Sequence, residues 1–292
     1  MTSGTPRILR AHDLAAFAGR TVLVITPHAD DTALFCGGTV ALMARAGAHV
    51  VLLRVTRDDT DSVGWDAGTT ERRIDAELEV AAHALGISEV HGLGYDSDRL
   101  SDVPLTDLRE RMIRAFRTFR PYAVLTFDPY SAYGEDNSDH VRTAQAVDES
   151  FWTAMFDKHH PGHQDEGLEP HGVVERWYFG RRVTDVTDVV DVADTLAAKT
   201  DAAIAHRTML GHLVHQLRLM ARTAGRDIGD VDDLVDDPSE LVRLLVPAGA
   251  ARVGERYGLS AAEEFRVVRY SGLSDVILWL EERAGRQRGE EI

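Results

Sequence analysis

The feature that most constrains the fold is a short apolar run, residues 21–25, followed directly by Pro27-His28-Ala29-Asp30-Asp31. An unbroken run of β-branched and aliphatic residues of this length is typical of a buried strand in a parallel sheet. The run ends at Thr26, so the imidazole and both carboxylates lie on the turn that leaves the carboxyl end of the strand. In open α/β sheets that edge is where ligands bind. The pentapeptide is therefore the first candidate for a functional site.

His28, Asp30 and Asp31 are side chains of the types that a catalytic zinc site uses. One neutral imidazole and one carboxylate supply two of its three protein ligands, and a second carboxylate is free to act as a base. The spacing alone does not decide which of the two carboxylates binds the metal. An alternative interpretation is a helix N-cap with a solvated neighbour, which a lone Asp-Asp pair after a strand often is. The combination of one imidazole with two carboxylates at the end of a strand predicts a metal-dependent hydrolase.

Length and charge limit the class of protein further. With 292 residues the chain can form one large domain, or one domain with a modest appendage. The net charge of −16 argues against nucleic-acid partners and against binding to anionic membranes. The single Cys36 allows no internal disulfide, and no apolar run approaches the roughly 18 residues needed to span a bilayer. Because a signal pattern is also missing at the N-terminus, we expect a cytoplasmic protein.

Strand and helix patterns alternate through the first half of the chain. Strands are predicted over 49–55, 89–93 and 122–127, and helices over 40–46, 69–85 and 105–119. This alternation predicts an α/β fold, with a Rossmann-like, mostly parallel sheet flanked by helices. The C-terminal half is expected to supply the substrate walls as an extension of that core.

The second half gives weaker patterns. We predict helices over 141–156 and through most of 191–220, strands over 173–180 and 265–270, and a terminal helix over 275–280. Residues 157–171 contain four histidines together with Gly and Pro, and are predicted to be a loop. Long loops beside α/β sites often close over them, so this loop is interpreted as a lid that helps select the substrate.

The third metal ligand should lie at the carboxyl end of another strand. His140 is the best candidate, because it follows the strand predicted over 122–127 and a polar loop, and stands at the start of the next helix. That position is geometrically equivalent to the position of His28. The alternative is a histidine at a helix start without a ligand role.

Several further motifs stand at strand ends in a fixed order. They are Gly37-Gly38-Thr39, Gly94-Tyr95-Asp96-Ser97, Asp128-Pro129 with Tyr133-Gly134, and Asp139-His140, with weaker matches at Lys199, His206 and Glu264-Phe265-Arg266. With these motifs the chain resembles the PIG-L/LmbE family of zinc-dependent N-acetylglucosaminyl deacetylases. The resemblance implies a deacetylase domain over residues 20–270, between an N-terminal segment, 1–19, and a C-terminal helix and tail, 271–292.

The resemblance also implies the roles of the site residues. His28, Asp31 and His140 would hold a Zn²⁺ ion, and imidazole with carboxylate suits Fe²⁺ as well. Asp30 would be the general base, and Tyr133 would help to hold the carbonyl oxygen. The implied reaction is hydrolysis of an N-acyl group, foremost N-acetyl, on an amino sugar of a glycoconjugate or natural product.

One departure from the family pattern concerns the oxyanion. Many members have His-Pro-Asp-His where this chain has Asn137-Ser138-Asp139-His140, and Glu135 and Asp136 lengthen the preceding loop. The Asn137 amide can donate a hydrogen bond to an oxyanion, but it carries no positive charge and cannot relay a proton. Two alternative functions therefore stay open: a thiol S-conjugate amidase using the same site, and a catalytically weak sugar-binding or regulatory module.

Loops that follow the predicted strands are candidates for binding a small glycoconjugate. Carboxylates and guanidinium groups bind sugar hydroxyls in paired fashion. The candidate residues are Arg57, Asp58, Arg73, Asp96, Asp98 and His206. Arg73 stands one residue from the usual family position, and His206 can equally be a core histidine or part of a pocket wall. The sequence leaves the formation of a homo-oligomer open.

Overall fold

The computed structural model of the chain describes residues 4–131, 134–226 and 237–289. Within these ranges its strands are β1 (Arg7–Leu9), β2 (Thr21–Thr26), β3 (His49–Thr56), β4 (Glu89–Tyr95), β5 (Ala123–Phe127), β6 (Glu175–Phe179), β7 (Asp188–Asp191) and β8 (Ala262–Arg269). They form one sheet in the order β1-β7-β8-β6-β5-β2-β3-β4. Only β8 runs against its neighbours, β6 and β7, while the other pairs are parallel. The prediction of a mostly parallel α/β sheet is confirmed.

Helices cover both faces of this sheet. They are α1 (Gly37–Arg45), α2 (Ala67–Leu85), α3 (Leu105–Phe119), α4 (Ser138–Thr153), α5 (Gly162–Asp165), α6 (Leu196–Ala205), α7 (Arg207–Thr223), α8 (Ser239–Glu255) and α9 (Ser274–Gly289). The ends of α2 follow from local chemistry: the Asp66 carboxylate accepts a hydrogen bond from the Thr69 amide, and Gly86 ends the helix at a φ of 73°. In the described part of the chain, no helix is both long and apolar enough to cross a membrane.

The core lies in two layers, one on each side of the sheet. Side chains of a strand alternate between its faces, so Val22 and Val24 pack towards α1, α2 and α6. Leu23 and Ile25 point the other way, towards α3 and α4. Burial on both faces explains why residues 22–25 are apolar without interruption.

Two short strands, β1 and β7, are missing from the sequence prediction. Their pairing is supported by the buried Asp188 carboxylate, which accepts hydrogen bonds from Arg7 at 2.9 Å and from Arg269 at 3.0 Å. Strands of three and four residues carry too little periodicity to be recognised alone, and they depend on such neighbours. The domain boundaries at residues 20 and 270 stay predictions, although the segment before residue 20 supplies β1.

The interpretation of residues 157–171 as a lid is wrong. The Arg117 guanidinium, on α3, holds this segment by donating to the carbonyls of Phe156 and His159. His171 Nε2 lies 2.8 Å from the carbonyl oxygen of Pro121, just before β5 begins. In a parallel sheet each helix returns the chain to the amino edge, so a segment between α4 and β6 lies at the opposite edge from a site at the carboxyl ends.

The strand order has a switch point between β2 and β5. From β2 the chain proceeds outward through β3 and β4, and then returns across β2 to form β5. The segments after β2 and β5 therefore leave the sheet in opposite directions and open a crevice at their carboxyl ends. His28 follows β2, and His140 lies in the first turn of α4, after β5.

Candidate metal centre and active site

The turn after β2 is held by backbone and side-chain hydrogen bonds from the neighbouring strand. Thr56 Oγ1 donates to the Pro27 carbonyl at 2.7 Å, and the Ala29 amide donates to Asp58 Oδ2 at 3.0 Å. Within the turn, the His28 amide donates to Asp31 Oδ2 at 2.8 Å. Both His28 and Asp31 are thereby fixed before any ligand binds.

His28, Asp31 and His140 converge in the crevice and are all buried. His28 Nδ1 and His140 Nε2 lie 3.2 Å apart. Asp31 places Oδ1 at 3.2 Å from His140 Nε2 and Oδ2 at 3.4 Å from His28 Nδ1. Ligand atoms about 2.0 to 2.2 Å from a tetrahedral ion are separated by about 3.3 to 3.6 Å, so these spacings fit a zinc-like ion.

Two further carboxylates stand behind the imidazoles. Asp139 Oδ2 lies 3.6 Å from His28 Nε2, and the same carboxylate accepts the amides of Asp98 and Leu100 at 2.7 and 3.1 Å. Glu135 Oε2 lies 2.9 Å from His140 Nδ1. A carboxylate on the outer nitrogen of a ligating histidine orients the ring and sets its tautomer. This pattern is typical of a metal centre.

The electrostatics of the cluster also favour a cation. Burial acts to lower the pKa of His28, but the carboxylates of Asp139 and Asp31 outweigh it and raise that pKa well above its usual value. Burial acts in the same direction on His140, and Asp31 and Glu135 raise its pKa to about 9. Burial alone would raise the pKa of Asp31, yet the two imidazoles hold it well below its usual range. The site thus stabilises positive charge at its centre, as a divalent-cation site must.

Asp30 lies beside the triad on the wall of a pocket of about 210 Å³. Burial, together with the charge of Asp31, raises the pKa of Asp30 to about 7. Asn137 and Arg181 line the same pocket, and α7 closes it with Met209, His212, Leu213 and Gln216. The pocket thus combines the triad with a carboxylate, an amide, a guanidinium and a third imidazole.

A second cavity, of about 380 Å³, adjoins this pocket. The two share Leu34, Phe35 and Arg181. Most of the other lining residues are apolar, and α8 supplies several of them, among them Leu245 and Val246. The candidate metal centre therefore lines a polar pocket, and a cavity with mostly apolar walls adjoins that pocket.

Asn137 lies at the pocket, but part of its amide is already used. Its Oδ1 accepts a hydrogen bond from the Asp139 amide at 2.9 Å and caps the start of α4. The amide nitrogen is left as the group that can donate to a substrate. Tyr133, which the family resemblance assigns to the carbonyl oxygen, lies outside the described residues.

The six residues predicted to bind substrate lie in different parts of the structure. Arg57 and Asp96 lie at the carboxyl edge and pair with each other at 2.5 Å. Asp98 donates its amide to Asp139, and burial raises its pKa. Arg73 stacks its guanidinium on the Trp65 ring, 4.0 Å from its centroid.

Asp58 and His206 lie in the interior, and neither belongs to the pocket walls. Asp58 is fully buried, and its carboxylate supports the turn through Ala29. Burial lowers the pKa of His206 to about 4, and neither of its ring nitrogens has a hydrogen-bond partner within the described ranges. Asp58 thus supports the turn after β2, and His206 is a core histidine.

Sequence reasoning missed Glu135, which stands behind His140, and the pocket residues Asp61, Arg181 and His212. Glu135 was interpreted only as lengthening its loop, although a carboxylate five residues before a ligating histidine is a signal for a supporting partner. The other three come from segments distant in sequence, and no local pattern marks them.

The Gly37-Gly38-Thr39 motif forms an internal anion site. The amides of Gly38 and Thr39, at the start of α1, donate to the two oxygens of Glu263 at 2.9 and 2.8 Å. Lys199 Nζ donates to Glu263 Oε1 at 2.6 Å, and both side chains are buried. A Cβ at Gly38 would meet Val192 at 2.7 Å, so a glycine is needed there. The motif therefore anchors α1 to β8.

The fold and the site together define an α/β protein with a candidate metal centre at the switch point of its sheet. Residues 23–151 match the model of the PIG-L family, which is described as GlcNAc-PI de-N-acetylase. The resemblance predicted from the motifs is confirmed.

Relatives of known activity align with part of the chain. Diacetylchitobiose deacetylase from Thermococcus kodakarensis is 28% identical over 158 residues, which cover 53% of this chain and 57% of that protein. A 1D-myo-inositol 2-acetamido-2-deoxy-alpha-D-glucopyranoside deacetylase from Kineococcus radiotolerans is 29% identical over 159 residues, 44% of each chain. The chain thus spans about half the length of these relatives.

Among solved structures, N,N'-diacetylchitobiose deacetylase from Pyrococcus horikoshii has the same fold. The TM-score is 0.69 with 21% identity, and the superposition covers 88% of either chain. At this identity the likeness concerns the fold alone.

Proposed function

We propose that this chain is a metal-dependent amide hydrolase that removes the acetyl group from an N-acetyl amino sugar in a small glycoconjugate. The observation that carries the proposal is the convergence of His28, Asp31 and His140 at zinc-like spacing, with Asp30 on the wall of the same pocket. The names of the two relatives, both deacetylases of acetylated amino sugars, support the substrate class.

His28, Asp31 and His140 would hold the metal, with Asp139 and Glu135 orienting the two imidazoles. A bound Zn²⁺, or Fe²⁺ as the second candidate, would lower the pKa of a water molecule to about 7 and polarise the amide carbonyl. Asp30 accepts the proton of the attacking water, because its carboxylate shares the pocket without belonging to the triad. The Asn137 amide nitrogen donates to the oxyanion, since its Oδ1 is engaged at the helix cap.

The adjoining apolar cavity bears on the choice of substrate. Its walls from α8 can accept an apolar group attached to the sugar, or an acyl chain longer than acetyl. The substrate panel should therefore include N-acetylglucosamine, diacetylchitobiose, an inositol-linked N-acetylglucosamine and an N-octanoyl glucosamine.

The test combines metal content with release of acetate or amine. We expect about one zinc per chain and acetate release from at least one N-acetyl amino sugar, and His140→Ala should lose both. His49→Ala is the matched control, because His49 lies at the amino edge and pairs with Glu89. Zinc-loaded protein that binds these sugars without cleaving any of them would refute the proposal in favour of a sugar-binding module. Preferential cleavage of a thiol S-conjugate amide would assign the site to an amidase.

A further inference from the structure

Helix α7 lies over the pocket and is fixed to the body of the protein at its start. The Thr208 amide and Oγ1 donate to the Glu77 carboxylate, on α2, at 2.9 and 2.8 Å. Leu210 and Val214 are buried in the core. The face that turns to the pocket carries Met209, His212, Leu213 and Gln216, at the spacing of one side of a helix. Its side chains therefore have defined positions opposite the triad.

His212 is the histidine on that wall. Of the residues that the structure describes, three histidines line the pocket, and the other two, His28 and His140, belong to the triad. His212 Nδ1 lies 3.7 Å from Asp61 Oδ1. Asp61 Oδ2 is buried and has no hydrogen-bond partner among the residues that the structure describes. A carboxylate beside one ring nitrogen orients an imidazole and stabilises its protonated form, while the other nitrogen is left for the substrate.

Amide hydrolysis requires a proton on the departing nitrogen, because an amide anion is a very poor leaving group. Asn137 has no proton that it can transfer at neutral pH, and Arg181 stays protonated. His206 is enclosed in the core, and the histidines of residues 157–171 lie at the opposite edge of the sheet. Among the described residues of the pocket walls, and apart from the triad and the carboxylates of Asp30 and Asp61, His212 is thus the side chain that can both donate and accept a proton.

We propose that His212 is the general acid of the reaction and that Asp61 is its positioning residue. This assignment rests on the proposed deacetylase function. In the balanced step, the water oxygen bonds to the acyl carbon and the water proton passes to Asp30. The carbon–nitrogen bond then breaks, and the His212 imidazolium gives its proton to the leaving nitrogen, so that acetic acid and a free amine are formed. The acetic acid releases its remaining proton to solvent as acetate, and a proton passes from Asp30 to His212 through solvent, which restores both side chains.

The main alternative is that Asp30 carries out both proton transfers. The two mechanisms differ in how the rate lost with His212 depends on the basicity of the leaving nitrogen. An amino-sugar nitrogen is strongly basic and needs a proton as it leaves, whereas the nitrogen of 4-nitroacetanilide leaves more easily without one. Loss of a general acid therefore slows the first substrate much more than the second.

The test compares His212→Gln with His215→Gln, a control on the same helix whose side chain does not belong to the pocket walls. His212→Gln should keep its zinc and lose about 10² to 10⁴ in kcat on the amino sugar, with a smaller loss on 4-nitroacetanilide. Asp61→Asn should lose less of kcat on the amino sugar than His212→Gln does. It should also keep the alkaline limb of the pH–rate profile, which His212→Gln removes. The charged or titratable groups that face His212 are Asp61, Asp98, Asp30, Asp31, His28, His140 and Arg181, and all are unchanged in His212→Gln.

An unchanged rate in His212→Gln, or equal losses on both substrates, would overturn the assignment while leaving the deacetylase function intact. Wild-type protein that holds zinc but releases no acetate would overturn both. Loss of zinc in His212→Gln would also contradict the assignment of His212 as general acid, because the residue would then support the metal centre.

Discussion

Neutralising Glu263 should destabilise the protein much more than neutralising its partner, Lys199. The Glu263 carboxylate accepts the amides of Gly38 and Thr39 and the Lys199 ammonium, and the two side chains are only 4% and 6% exposed. In Glu263→Gln the ammonium stays buried without a counter-charge. In Lys199→Met the carboxylate keeps both amides at the positive end of α1.

The expected magnitudes follow from this asymmetry. Breaking a buried ion pair by removing one partner costs about 3 to 5 kcal/mol when the other charge is left uncompensated, which is the case for Glu263→Gln. Lys199→Met loses one hydrogen bond between charged groups, about 1.5 to 3 kcal/mol, and Met preserves the aliphatic packing against Gly37. The double variant Lys199→Met/Glu263→Gln should be more stable than Glu263→Gln alone, because no ammonium is then buried unpaired.

Urea unfolding followed by circular dichroism measures these differences as shifts in midpoint at a constant m-value. Lys158→Met, at an exposed lysine, is the matched control and should change the free energy of unfolding by less than about 0.5 kcal/mol. The reasoning is refuted if Lys199→Met costs as much as Glu263→Gln, or if the double variant is no more stable than Glu263→Gln.

Three further predictions concern the site and its surroundings. Asp30→Asn should keep the metal and lose about 10² to 10⁴ in turnover, whereas Asp31→Asn should lose the metal; metal analysis beside acetate assays would show a reversed assignment. Asn137→Ala should lose about 1 kcal/mol of stability with the helix cap and about 2 to 4 kcal/mol of transition-state stabilisation; Asn137→Ser keeps the cap, so full activity in this variant would disprove the oxyanion role. The pKa of His206 falls from 6.5 to about 4 on folding, so its stabilising contribution is complete above pH 6.5 and is lost as the pH falls through 4. His206→Leu should remove about 3 kcal/mol of this pH dependence, and equal slopes of unfolding free energy against pH in both proteins would contradict it.

Much of the fold and the centre of the site could be predicted from the sequence because they rest on local periodicity. The apolar run at 21–25 predicted a strand buried on both faces, and the helix predicted over 105–119 has the bounds observed for α3. The juxtaposition of His28 and His140, 112 residues apart, followed from a general rule, since parallel strands bring their carboxyl ends to one edge.

Other features were decided only by the tertiary structure. Asp58 and Asp59 are neighbours on one loop, yet the structure turns Asp58 inward to the Ala29 amide. The histidines at 157–171 lie at the amino edge, where the return path of α4 places them. Asp61 and His212 meet because α7 is anchored to α2 through Glu77, a contact between segments with no shared pattern. The periodicity of the sequence indicates whether a side chain is buried. Which side chains share a pocket depends on how helices distant in sequence pack together, and only the complete tertiary structure determines that packing.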